Sequence, residues 1–314
     1  MVGHNRLHAS VRALMEQTGT TNPFDAIRQR AQELVSKFYA AFHEEPPFDM
    51  ECLASLQGLH LSSEAPKLSP DAEIAPDADG RIILRVNRDR PQTRRRFSIG
   101  HEVGHTLFPG YESKTHCRKP ASRDWADPED LIESLCDAAA SEFLFPDPWF
   151  SERVTALQPS AVEIVALISD YRASPEATIR RLVDKFNKPI AALFLEWKLK
   201  PLEEREKKSN RGQLDMFPDD PRVEPERKLR IDYGIMNDRF KTSVCSHLPK
   251  HKSVPFEGPI YDAAAKQSPQ DGEMFINLGT AERTFAVSAI PVFSSSGGLG
   301  PSGEAPVAAL LRLT

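Results

Sequence analysis

His101-Glu102-Val103-Gly104-His105 is the stretch whose residue types and spacing suit chemistry. On a helix, residues four apart share a face, so His101 and His105 can aim both imidazoles at one point. Two convergent imidazoles suit Zn²⁺, and Glu102 between them can act as general base toward water activated there. Ile99, Val103 and Leu107 repeat every four residues on a different face and would anchor the helix in a core. Gly100 and Gly104 each cost about 1 kcal/mol relative to Ala inside a helix, a cost that makes sense if something packs closely against the backbone. Three fixed positions in five are not rare by chance, so a metal site requires a third ligand elsewhere.

A candidate third ligand lies downstream. Asp127-Pro128-Glu129-Asp130 reads as a helix start, with Asp as cap, Pro at the first helical position and acids in the first turn. The helix then runs from Leu131 to Phe145 and stops at Pro146. Glu133 and Asp137 share a face with Ala140 and Leu144. That face is otherwise small and apolar, so its carboxylates require partners. Glu133 fits as the third metal ligand. Asp137, one turn on, fits as the acceptor for the free N–H of a ligating histidine. Glu142 falls on another face and reads as a solvated surface acid.

Together these residues resemble a known family. The run from Arg94 to Pro109 (RRRFSIGHEVGHTLFP), a strand from Ile82 to Asn87 before it, and a helix with Glu133, small residues and Leu144 ahead of Pro146 resemble the ImmA/IrrE metallopeptidases. The acidic helix departs from that family's usual pattern at Cys136, Asp137 and Ala139. Glu133 with Asp137 also looks like the acidic pair of thermolysin-type zinc enzymes. The resemblance is most specific over residues 80–146, extends in layout over 23–200, and beyond 200 rests on general arrangement. It implies a zinc endopeptidase, with another divalent metal such as Mn²⁺ as the alternative in vivo. The implied protein substrate is an Xre-like helix-turn-helix repressor, whose cleavage releases stress-response or mobile-element genes. Two alternatives stay open: a non-catalytic metal-binding transcriptional regulator, and a toxin or defence protease with another protein target.

The elements around the motif set its context. Asn22-Pro23 caps a helix with Phe24, Ile27, Ala31, Leu34, Val35, Phe38 and Phe42 as its apolar stripe. Pro46-Pro47 breaks it, a short helix follows over Asp49–Leu56, and Leu59-His60-Leu61 reads as a strand. Residues 62–79 are polar, rich in Pro and Asp, and read as a loop. Arg81–Asn87 reads as a strand that either lies in the core or pairs with an extended substrate. Arg94-Arg95-Arg96 opposes the helix dipole and reads as a solvated charge run. The loop over residues 109–126 offers Tyr111 and His116, either of which could donate to the oxyanion of a tetrahedral intermediate.

Helices follow over Ser160–Asp170, striped by Val162, Ile164, Val165, Leu167 and Ile168, and from Pro175 with Ile179, Leu182, Val183 and Phe186 inward. With Arg172, Arg180, Arg181, Lys185 and Lys188 nearby, the pair is helix-turn-helix-like, which makes DNA contact one reading and protein packing the other. Ile190–Trp197 reads as a helix end or a strand. Four later segments, around 229–235, 273–278, 284–293 and 305–313, have strand character.

The fold expected is α+β. A mostly helical zinc-peptidase domain with a small sheet spans 1–147, a helix-turn-helix-like segment 148–200, a charged linker 201–228, and a small α/β sensor or docking domain 229–314. With 314 residues, 40% hydrophobic content and a net charge of −5, the chain has ordinary globular cores and no global nucleic-acid signature. Four scattered cysteines without a C-x-x-C pair fit a reducing cytoplasm. No signal peptide is expected, and no apolar run approaches the roughly 18 residues of a membrane span.

Overall fold

A computed structural model of the chain describes residues 7–62, 71–111, 116–117, 128–205, 226–292 and 303–314. The fold is α+β and divides into two compact units, Met1–Arg153 with Ile168–Ala177, and Val154–Leu167 with Thr178–Thr314.

The first unit begins with α1 (Ala9–Thr18) and α2 (Pro23–Phe42). Asn22 caps α2, its side chain accepting from the Phe24 amide, and Ala26, Ile27, Ala31, Leu34, Val35 and Phe38 form the buried stripe. Asp49 caps α3 (Met50–Leu56) by accepting from Glu51 and Cys52. A four-stranded sheet follows in the order β1-β3-β2-β4, built from β1 (His60–Leu61), β2 (Ala72–Pro76), β3 (Ile82–Val86) and β4 (His116–Cys117). Strand β2 corrects the loop expected over 62–79. Its Ala72 and Ile74 point into the core between Glu73 and Ala75, and a tight turn with Gly80 at φ 79° joins it to β3. Strand β3 is flanked on both sides, by β1 in parallel and β2 in antiparallel. Among the described residues β2 pairs with β3 along its length and β1 covers Ile83 and Leu84, which favours the core-strand reading.

Helices α4 (Gln92–His105) and α5 (Pro128–Leu144) cross at very close range. A Cβ on Gly104 would lie 3.0 Å from Cys136 Cα and 3.1 Å from its carbonyl oxygen. A Cβ on Gly100 would meet Ala140 at 3.4 Å. The helix-breaking glycines thus serve backbone approach, as their cost suggested. Gly104→Ala gains about 1 kcal/mol of helix propensity but presses on backbone that cannot swing away, and overpacking of this kind costs about 1–3 kcal/mol. We expect Gly104→Ala to lower the thermal midpoint and Gly100→Ala to leave it level or raise it, in melts of the two variants beside wild type.

Of the three arginines opening α4 only Arg94 is exposed, so the run is not solvated throughout. Arg94, together with Arg90, binds the buried Asp71 at 2.7 Å. Arg96 is 8% exposed and donates to the Phe48 carbonyl at 2.9 Å. Glu142 on α5 also departs from expectation: it is 2% exposed and lies 3.7 Å from Arg28 of α2. Helix α5 is covered by α2 as well as α4, so more than one of its faces is interior.

Three helices follow, α6 (Trp149–Ala156), α7 (Ala161–Asp170) and α8 (Pro175–Lys185). Helix α7 buries Ala161, Ile164 and Leu167 but leaves Val162 67% and Val165 41% exposed, so only part of its apolar stripe is used. Helix α8 buries Ile179, Leu182 and Val183 as expected, with Phe186 just beyond it. Two of the basic residues near it are already engaged. Arg181 is buried beside Asp184, and Arg180 lies over the Tyr233 ring at 5.1 Å.

The second unit holds an antiparallel sheet ordered β6-β5-β9-β8-β7, from β5 (Ile190–Lys198), β6 (Lys228–Met236), β7 (Gln270–Asn277), β8 (Glu282–Pro291) and β9 (Val307–Leu313). The Ile190–Trp197 segment is therefore a strand, and it sits inside this sheet. Helices α9 (Asp238–Ser243) and α10 (Pro259–Lys266) complete the unit. Leu193, Phe240, Ile260, Phe285 and Leu311 lie in one core, and Trp197 donates its indole N–H to the Ala305 carbonyl at 3.2 Å. No helix among the described residues is long and apolar enough to cross a membrane.

Candidate metal centre

Helix α4 supplies His101, Glu102 and His105, and α5 supplies Glu133 and Asp137. The close crossing at Gly100 and Gly104 brings the two sets together. His101 Nε2 lies 3.2 Å from Glu133 Oε2, and His105 Nε2 lies 3.7 Å from Glu133 Oε1. The imidazole rings meet edge to face, with centroids 5.1 Å apart and planes at 73°. His101, Glu102 and His105 are buried, and Glu133 is 9% exposed. Two imidazole nitrogens and a carboxylate converging on one point form a donor set of the kind that holds Zn²⁺ with a coordination position left open. The residues present therefore fit a divalent ion.

Asp137 stands behind His101, its Oδ1 2.8 Å from Nδ1. That contact fixes which ring nitrogen faces Glu133, since Nδ1 must carry the proton to donate to a carboxylate. Burial pulls the His101 pKa down, but the hydrogen bonds with Asp137 and Glu133 and the charge of Glu102 outweigh it and lift the value to about 9. Two or more carboxylates around one histidine describe a site that attracts a cation. Asp137→Ala should weaken metal binding by about 10- to 100-fold, the usual cost of losing an outer partner of a ligating histidine. Competition with a chromogenic chelator measures this.

A second donor arrangement is present. Cys136 Sγ lies within 4.8 Å of a ring nitrogen of both His101 and His105. The sequence marks Cys136 only as a departure from a family pattern, although its place three residues after Glu133 on the same helix is a signal for it. Burial first, and then the charges of Glu133, Glu102 and Asp137, push its thiol well above the ordinary value. Only the thiolate is a good ligand. Glu133 reaches the two histidines with separate oxygens, at 3.2 and 3.7 Å, whereas the three donors that all lie within 4.8 Å of one another are those of His101, His105 and Cys136, so both side chains are placed to be the third donor.

The remaining candidates are less placed. Tyr111 is half-buried shortly after α4. His116 lies in β4, paired through the backbone with Ile74, and its side chain lies outside the described residues, as do Asp127 and most of the loop over 109–126.

The residues of this centre fall within the stretch that resembles known proteins. The model of the IrrE N-terminal-like domain, Peptidase_M78, matches residues 63–183. The Radiation response metalloprotease IrrE of Deinococcus radiodurans is 27% identical over 117 residues, 36% of this chain and 34% of that protein. Its namesake from Deinococcus deserti is 26% identical over 117 residues, 36% of this chain and 40% of that protein. The match thus spans little more than a third of either relative. Among solved structures, a Mycobacterium tuberculosis transcriptional regulator is similar with a TM-score of 0.48 at 14% identity, over 96% of this chain and 78% of that one.

Proposed function

We propose that this chain, whose residues 63–183 match the IrrE N-terminal-like domain, is a zinc-dependent, site-specific endopeptidase of the ImmA/IrrE kind. The observation that carries the reading is the convergence of His101, His105 and Glu133 beside a buried Glu102. A purely structural metal site has no need of that extra carboxylate. When bound, the divalent ion supplies Lewis acidity, which acidifies water and polarises the scissile carbonyl. Glu102 takes the proton of the attacking water and passes it to the leaving nitrogen. Asp137 holds His101 in orientation, and Tyr111 or His116 donates to the developing oxyanion.

The substrate proposed is a helix-turn-helix repressor of the Xre type, whose cleavage releases stress-response or mobile-element genes in the cytoplasm. The stress relation is suggested by the relatives' name as radiation response proteases. The edges of the small sheet among the described residues are β1 and β4, so an extended substrate would pair there rather than on β3. New protein N-termini in cells expressing wild type and Glu102→Gln test the proposal. A terminus found only with wild type, inside a small DNA-binding protein, supports it. Identical profiles with and without stress, from chains with equal metal content, contradict it.

A further inference from the structure

A cavity of about 470 Å³ lies in the first unit, lined by residues of α4, β1, β3 and the α3 region, with Arg172 on its wall. Such a volume is in the range of small-molecule sites. Its wall is divided by chemistry. Phe48, Leu84, Val86 and Ile99 provide an apolar side, and Arg88, Arg95, Arg96 and Arg172 bring four guanidiniums to it. Arg96 is the central one. It is 8% exposed, and its Nη1 is committed to the Phe48 carbonyl. Its Nε and Nη2 are buried and have no hydrogen-bond partner among the described residues. Arg95 Nε is in the same condition.

Nε and Nη2 are the two parallel donors of one guanidinium edge, the edge that grips a carboxylate or phosphate through two oxygens. Leaving a buried charged donor unmade is costly, so its persistence points to a ligand that completes it. Burial and then the charge of Arg172 hold the Arg96 guanidinium below its ordinary value, and Asp49 opposes them. Asp49 also lines the cavity, but it is occupied in capping α3. Glu44 and Glu51 on the wall would repel an extended polyanion such as nucleic acid.

We propose that this cavity binds a small organic oxyanion, its carboxylate or phosphate head forked by Arg96 and its body against the apolar wall. The site is separate from the residues of the metal centre, although both use α4. Benzoate, inorganic phosphate and uncharged benzamide are the probes, titrated calorimetrically into the zinc-loaded full chain. Wild type is compared with Arg96→Lys, which keeps a charge and a donor for Phe48, and with the exposed Arg172→Ala. Zinc content and melting temperature are measured on each. The expected result is saturable binding of benzoate, phosphate or both, none of benzamide, and about tenfold weaker binding in Arg96→Lys, the scale of one charged hydrogen bond lost. Arg172→Ala should weaken binding as well. Benzoate alone assigns a carboxylate with an apolar body; phosphate alone assigns a phosphate head. Absence of saturable binding, or equal binding in a folded, zinc-loaded Arg96→Lys, overturns the proposal. The latter is also what an anion held at the metal would give.

Discussion

Replacing Glu133 by Ala is expected to cost the chain its metal, and replacing Cys136 by Ser is expected to spare it. Glu133 reaches both imidazoles, at 3.2 and 3.7 Å, from two different oxygens. Removing a direct ligand must cost more than removing an outer partner such as Asp137, so the affinity should fall by more than about 100-fold. Cys136 Sγ is within 4.8 Å of a ring nitrogen of each histidine, but its backbone is what packs against Gly104, at 3.0 and 3.1 Å from the position of a Cβ there. A Ser side chain leaves that backbone contact intact. Equilibrium dialysis against zinc with metal analysis distinguishes the two variants. Loss of metal from Cys136→Ser with retention in Glu133→Ala would assign the third ligand to the cysteine.

Glu102→Gln should keep wild-type zinc content and lose peptide cleavage by about 100- to 10,000-fold, the range a positioned general base contributes. Glutamine has nearly the shape of glutamate, so the buried packing of α4 survives. It has no basic oxygen to take a proton. Glu102 is fully buried and its charge also raises the His101 pKa, so the substitution removes one charge that attracts the cation while it lessens proton competition for the histidine, and the two effects oppose each other in zinc content. Single-turnover cleavage of a substrate identified from cells, followed by mass spectrometry, measures the effect. An unchanged rate would remove Glu102 from the mechanism.

Much of the site could be read from periodicity. The four-residue spacing of His101 and His105, and of Glu133 and Asp137, places each pair on one helix face, and the two glycines mark where the helices touch. Pairwise helix geometry is local, and local patterns survive folding. What escaped depended on partners distant in sequence. Glu142 looks like a surface acid until α2 covers it and brings Arg28 within 3.7 Å. Arg96 looks solvated until the chain before α3 supplies the Phe48 carbonyl. Strand β2 alternates correctly at Ala72, Glu73 and Ile74, but the prolines and aspartates around it masked five residues of pattern. The edge or centre of a sheet is likewise a matter of strand order: β3 reads the same in sequence whether one side or both are paired.

The most direct test of the metal centre is X-ray absorption at the zinc edge of the loaded chain. Coordination by His101, His105 and Glu133 predicts nitrogen and oxygen neighbours at about 2.0–2.2 Å, with imidazole scattering from two rings and no sulfur. A sulfur neighbour at about 2.3 Å would place Cys136 on the metal and contradict the assignment of Glu133.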